Sequence, residues 1–269
     1  MILLGYAATL LMGIVLGVVG SGGSILTVPI LVYLFGIAPA TATGYSLLIV
    51  GATAAFGALR YLRQNLVDLK VASVFAVPSI IAVYFTRLYI MPNIPDVLFV
   101  QPVLITKDSG LMMLFAMLML ASAFFMLRNR PSTVEPESIP VASHSLSGKD
   151  YILLVIEGAV IGVLTGMLGA GGGFIIIPTL VLILKMPMKQ AIGASLYIVA
   201  LKSLLGFTGD LHAGIELNWQ ILPFILVSTF LGMALSTRIA KKLSGRALQT
   251  YFGFFTLTIA SLIIIKELL

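Results

Sequence analysis

The chain has no cysteine, which excludes disulfides, thiol nucleophiles and thiolate-held metals and leaves its redox compartment open. Charge is the next scarcity: 10% of its 269 residues are Asp, Glu, Lys or Arg, against 59% that are apolar. A soluble domain of this size needs a charged shell that this chain cannot supply. Histidine is nearly missing too, with two in all. No spacing of His and carboxylates fits a metal site, and no Ser–His–Asp set can be placed. No cofactor is expected, and an enzyme is the least supported class. The net charge of +6 does not point to nucleic acid, because the positives lie in short segments between apolar runs.

Those runs dominate what is present, and mean hydropathy reaches +1.12. They fall at about 2–19, 24–35, 40–59, 71–90 and 110–127, then 151–168, 173–184, 191–207, 221–235 and 250–266. Most match the length scale of a hydrocarbon core roughly 30 Å thick. The expected class is an all-α polytopic membrane protein, with the lipid bilayer as its first partner. The opening MILLGYAATLLMGIVLG has neither a basic n-region nor a clear A-x-A site, so it reads as a retained span.

Two runs, 24–35 and 173–184, are short. If they cross, the chain has ten spans; if they dip and return, it has eight. Loop charge separates the alternatives, since Lys and Arg favour the cytoplasmic side. With ten spans, one side holds Arg60, Arg63, Lys70, Arg128, Arg130, Lys149, Lys185, Lys189, Arg238, Lys241, Lys242 and Arg246, and the other only Arg87, Lys107 and Lys266. With eight spans the same residues divide about evenly. Ten crossings with both termini outside is therefore the expectation. Residues 128–150, rich in Pro, Ser and Glu, become a cytoplasmic linker, in which His144 is a solvated side chain.

Sliding the sequence by 149 residues superposes its halves without a gap. Gly13, Gly17, Gly20, Gly22, Gly23, Pro29, Ala42, Gly44, Ser46 and Gly57 fall on Gly162, Gly166, Gly169, Gly171, Gly172, Pro178, Ala191, Gly193, Ser195 and Gly206. Five spans precede the second copy, so the copies, 1–127 and 151–269, would lie in the membrane with opposite orientations. Inverted repeats with interrupted helices are an architecture of secondary transporters, with substrate near the midplane.

The glycine clusters "GSGGS" and "GAGGG" each precede a short run of 12 or 11 residues, roughly 17–18 Å as helix. Irregular backbone at that depth survives only where protein or a cavity satisfies it. Each cluster therefore reads as a place where an anion meets the N–H groups that open a broken helix, near Gly22, Gly23 and Ser24 and near Gly171, Gly172 and Gly173. Gly13, Gly17, Gly57, Gly162 and Gly206 read instead as packing positions between helices. Neither cluster is a Walker loop, for both lack G-K-[ST].

The stretches "GAGGGFIIIPTLVLI", "AIGASLYIV" and "GDLHAGIELNW", with weaker echoes at "GSGGSILTVPILV", "ATGYSLLIV" and "NLVDLK", resemble the TauE/SafE family of sulfite and organosulfur-anion transporters. The resemblance spans roughly 5–88 and 155–265. It implies carriage of a small anion such as sulfite, thiosulfate, sulfoacetate or another sulfonate across a bacterial or archaeal cytoplasmic membrane. The sulfur rests on the resemblance alone. The family's His…Gly-x-Asp-Trp ending departs here, where His212 and Gly214 are followed by Glu216, Asn218 and Trp219.

Further candidates are single residues. Lys202 lies inside a span, where an ammonium is by default functional; it either complements the anion or snorkels to the near interface. Its repeat counterpart is Thr53. Ser46 and Ser195 either bond substrate oxygens or bond back to their own helix. Thr27, Tyr45 and Tyr197 read more readily as packing than as cavity lining. Glu157, inside a span with Ala8 as counterpart, and His212, placed with Asp210 and Glu216 in an outer loop, are candidates for proton coupling. An anion channel, a carrier of a non-sulfur anion and a cation exporter are the competing readings; the last lacks the buried carboxylates it would need. Oligomeric state stays open, a homodimer included.

Overall fold

The computed structural model describes residues 2–99, 105–128, 148–169, 171–182, 184, 186–214, 220–240 and 245–268. Each of the ten apolar runs is helical over most of its described residues. The first half holds α1 (Ile2–Val19), a 3-10 segment (Gly20–Leu26), α2 (Thr27–Tyr33) and α3 (Pro39–Arg63). There follow α4 (Leu69–Phe85), which runs through a π-helical turn (Thr86–Ile90) into α5 (Met91–Asn93), and α6 (Lys107–Arg128). The second half holds α7 (Gly148–Leu168), α8 (Gly173–Leu182), α9 (Met188–His212), α10 (Leu222–Ala240) and α11 (Gly245–Leu268). Between α5 and α6 a short antiparallel pair, β1 (Val97–Phe99) and β2 (Ile105–Thr106), was not expected from the sequence.

The polytopic all-α class is therefore correct. Among the described residues, six helical stretches are long and apolar enough to cross a membrane: Leu3–Tyr33, Pro39–Arg63, Leu69–Asn93, Lys107–Phe124, Tyr151–Leu168 and Met188–His212. The surface suits lipid. Val77, Ile81 and Phe85 of α4, Ile156 and Val160 of α7, and Phe224, Val227 and Leu231 of α10 are exposed, whereas Ser21, Ser46, Arg87, Lys202 and Asp210 are buried. Apolar groups outside and polar groups inside is the arrangement that hydrocarbon imposes.

Leu3–Tyr33 is no straight rod. Gly20 has φ +80°, and a Cβ on Gly23 would collide with the backbone of Leu16. Beyond that turn the Thr27 hydroxyl donates to Met12 Sδ at 3.1 Å, and the Phe35 ring lies 5.5 Å from that of Tyr6. The 3-10 segment and α2 thus run back along α1 as an antiparallel hairpin.

Helices α3 and α9 have 25 residues each and limits related by the 149-residue offset. They cross at the centre of the bundle, with Gly51 against Leu204. Around them α1 packs on α10, α7 on α4 and α6 on α11. Missing Cβ atoms permit these approaches, and they do so in related pairs. Gly13 meets Thr229 as Gly162 meets Ser79; Gly17 meets Ser236 and Met233 as Gly166 meets Thr86 and Val83; Gly57 meets Met233 as Gly206 meets Val83.

Three charged or titratable side chains lie elsewhere than the sequence suggested. Arg87 reads in the sequence as a loop charge, yet helical backbone runs past the apolar stretch to Asn93 and Arg87 is 1% exposed. Asp210 and His212 were placed in a loop but close α9. Asp210 is buried against Arg87, and His212 is exposed on the last turn. The linker core, 129–147, and the Glu216–Trp219 stretch lie outside the described residues.

Candidate functional site

The second glycine cluster has left-handed backbone at Gly169 (φ +66°), Gly171 (+63°) and Gly172 (+70°), a region that L side chains rarely adopt. This bends the chain out of α7 and starts α8, whose first hydrogen bonds run from the N–H groups of Ile175 and Ile176 to the Gly172 carbonyl at 3.0 Å. The N–H groups just before them open the helix without intrahelical acceptors and carry its positive end. A Cβ on Gly171 would press at 2.8 Å on Val50 and 3.0 Å on Val199. Those valines lie near the middle of α3 and α9, so this helix start lies deep in the bundle.

The first cluster arrives at the same place. A Cβ on Gly173 would run into Ser21, and one on Gly171 would approach Ser24 Oγ to 3.3 Å. Gly22 and Gly23 are buried in the same 3-10 segment. Two glycine-rich segments 149 residues apart in sequence therefore touch. Ser21 Oγ is buried with no hydrogen-bond partner among the described residues.

Lys202 completes the cluster. It is fully buried, and its Nζ donates to Thr165 Oγ1 at 3.0 Å. The same Nζ lies 2.9 Å from where a Cβ on Gly172 would stand. The stem is turned inward, across to α7, rather than out to an interface. Among the described residues no carboxylate pairs with it, and Asp210 of the same helix is paired with Arg87. Leaving a buried ammonium unpaired costs several kcal/mol, and one charge-assisted hydrogen bond returns about 1.5–3 kcal/mol. The adjoining helix start adds to the positive potential.

The remaining candidates separate. Ser195 Oγ donates to the Ile192 carbonyl of its own helix at 2.8 Å. Ser46 Oγ is buried without a partner among the described residues. It stands on α3 between Thr43, which abuts Gly169, and Val50, which abuts Gly171. Thr53, the counterpart of Lys202, bonds to Ile49 O and Thr229 Oγ1. Glu157 is half-buried on α7, eight residues or roughly 12 Å of helix from Thr165, and so away from the cluster. His212 Nδ1 lies 3.5 Å from the Tyr84 hydroxyl, at the end of α9.

Sequence reasoning missed Arg87. Its Nη1 donates to Thr43 Oγ1 at 3.0 Å and lies 3.4 Å from Asp210 Oδ1, joining α3, the π-helical turn and α9. A charge at the edge of an apolar run looks like a loop residue. The available signal was that Arg87 and Asp210 belong to different halves and bear opposite charge.

The family model described as sulfite exporter TauE/SafE matches residues 5–263. A probable membrane transporter protein of Xylella fastidiosa (strain Temecula1) is 29% identical over 94% of this chain and 91% of its own length. YunE, a probable membrane transporter protein of Bacillus subtilis, is 25% identical over 90% and 91%. A probable membrane transporter protein of Methanocaldococcus jannaschii is 24% identical over 87% of both. No solved structure matches.

Proposed function

The chain belongs to the sulfite exporter TauE/SafE family, and from that premise we propose that it is a secondary transporter of small anions. Sulfur oxyanions or organosulfonates are the substrate class, suggested by the name of the family. The observation that carries the reading is Lys202: a buried ammonium with no carboxylate partner among the described residues, set beside the start of α8. In this reading the anion lies between Lys202 Nζ and the N–H groups around Gly171–Gly173, with Ser21, Ser24 and Ser46 at its flanks. Lys202, held by Thr165, supplies charge. The left-handed glycines let the anion reach main chain. Ser195, bonded to its own helix, is left a structural part.

The duplicated glycine contacts support two five-helix halves of opposite orientation that rock about the α3–α9 crossing. The loop charges support a topology with both termini outside, and the family suggests a bacterial or archaeal cytoplasmic membrane. Purified protein in liposomes tests the function. Saturable counterflow of sulfite, thiosulfate or sulfoacetate is expected. Steady ionic currents at channel rates would replace the carrier by a channel, and counterflow of a sulfur-free anion alone would remove the substrate class.

A further inference from the structure

Arg87 has more donors than the fold uses. Its side chain is completely buried, and only Nη1 is engaged, by Thr43 Oγ1 at 3.0 Å and Asp210 Oδ1 at 3.4 Å. Nε and Nη2 have no partner among the described residues, and neither has Asp210 Oδ2. A buried pair that serves only to hold two helices together gains most from a two-pronged contact that satisfies both ions. Here one prong is made, at the long end of the hydrogen-bond range, while the side-on edge of the guanidinium is idle. That edge, with Nε–H and Nη2–H parallel, matches two oxygens of one oxyanion.

Its surroundings connect it to the cluster at Lys202. Thr165 holds Lys202, and four residues on Gly169 abuts Thr43, which holds Arg87. Along α9, Lys202 and Asp210 are eight residues apart, roughly 12 Å. Gly209 lets α9 come close to the Arg87 stem, its absent Cβ lying 3.1 Å from Arg87 Cβ. Arg87 also stands on a π-helical turn, an irregularity often found at functional sites. The glycine contacts pair Thr86 with Ser236, so Arg87 answers to Thr237 and Asp210 to Tyr61, both uncharged.

We propose that the Nε–Nη2 edge of Arg87 is a second oxyanion site, one step along the path from Lys202 toward the Thr43 end of the bundle. This rests on the transporter reading and adds a station to it. Asp210 holds Nη1 so that the opposite edge faces the anion, and its negative charge keeps the site weak enough to release what it binds.

Equilibrium binding of radiolabelled sulfite, with sulfoacetate in parallel, to the purified full chain tests the proposal. Two anions per chain are expected for the wild type. One should remain in Lys202→Met, one in Arg87→Lys, which keeps the charge but loses the side-on edge, and none in the double variant. Asp210→Asn should tighten the Arg87 site at least fivefold. That measurement in the Lys202→Met background decides the matter if Arg87→Lys does not fold. A single wild-type site that is lost in Lys202→Met, two unchanged sites in Arg87→Lys, or no tightening with Asp210→Asn would overturn the proposal. Loss of all binding in Lys202→Met would overturn it while sparing the Lys202 reading. Binding that survives in Lys202→Met and vanishes in Arg87→Lys would do the reverse, and no binding in any variant would sink both.

Discussion

Lys202 and Gly172 depend on each other. Replacing Lys202 by Met keeps the length of the stem and removes the charge, so the fold should persist or gain stability, because an unpaired buried ion is lost. Anion affinity should fall about 10- to 100-fold, the worth of a charge-assisted hydrogen bond of ~1.5–3 kcal/mol. Isothermal titration of purified protein reads this directly. Gly172→Ala should weaken binding too, since its Cβ would press on Lys202 Nζ and collide with Thr165 at a φ of +70°. The two repeat-related serines should diverge. Ser195→Ala loses a bond internal to its own helix and should leave anion affinity unchanged. Ser46→Ala removes a buried hydroxyl that has no partner among the described residues, and should lower affinity without lowering stability. Equal effects of the two substitutions would contradict the asymmetry of the site. None of this difference is visible in the sequence, where both serines stand in G-x-S at matched positions. The Lys202 stem likewise reaches either the interface or the core, and the choice depends on Thr165, a residue 37 positions away.

At the scale of elements the reading from sequence is strongest. Lipid removes most of the ambiguity between helix and strand, because unpaired backbone is intolerable there. Apolar length therefore located the long helices, down to α1 at Ile2–Val19 and α8 starting at Gly173. Glycine at matched positions marked close helix crossings. What the sequence did not disclose is where helices extend beyond apolar runs. Arg87 and Asp210 are carried inside because the π-helical turn and the last turn of α9 continue past the hydrophobic residues, and each charge is tolerated only beside the other. The β1–β2 pair had no signal in apolar periodicity. Packing gives a test at this scale. Gly13→Val and Gly162→Val should each lower thermal stability by about 1–3 kcal/mol, the usual penalty of overpacking, because their Cβ atoms would strike the backbone of the facing helix. Gly148→Ala, with nothing within 4 Å of its Cβ, should be neutral.

For the whole molecule the open quantity is how often the chain crosses. The absence of cysteine makes it measurable. Single cysteines at the exposed positions Ala38, Gln64, Gly148 and Ala213 can be labelled with a membrane-impermeant maleimide in right-side-out and inverted vesicles. Ten crossings place Gln64 and Gly148 on one side and Ala38 and Ala213 on the other. Gln64 and Ala213 labelled from the same side would mean that the short segments dip and return. Ten crossings would also make the halves opposite in orientation, so that α2 and α8 approach the centre from opposite faces and their glycine-rich starts meet there. The contact of Ser21 and Ser24 with Gly171 and Gly173 is the structural counterpart of that idea.

In the proposed mechanism a buried ammonium and the start of a broken helix hold the transported anion. Thermal unfolding of the purified wild type and Lys202→Met across sulfite, thiosulfate, sulfoacetate, sulfate, chloride and acetate tests it most directly, since a ligand bound only by the folded state raises the transition by mass action. A selective, saturable rise in the wild type that disappears in Lys202→Met is the expected result. Equal rises in both proteins, or none in a wild type that melts cooperatively, would contradict the claim.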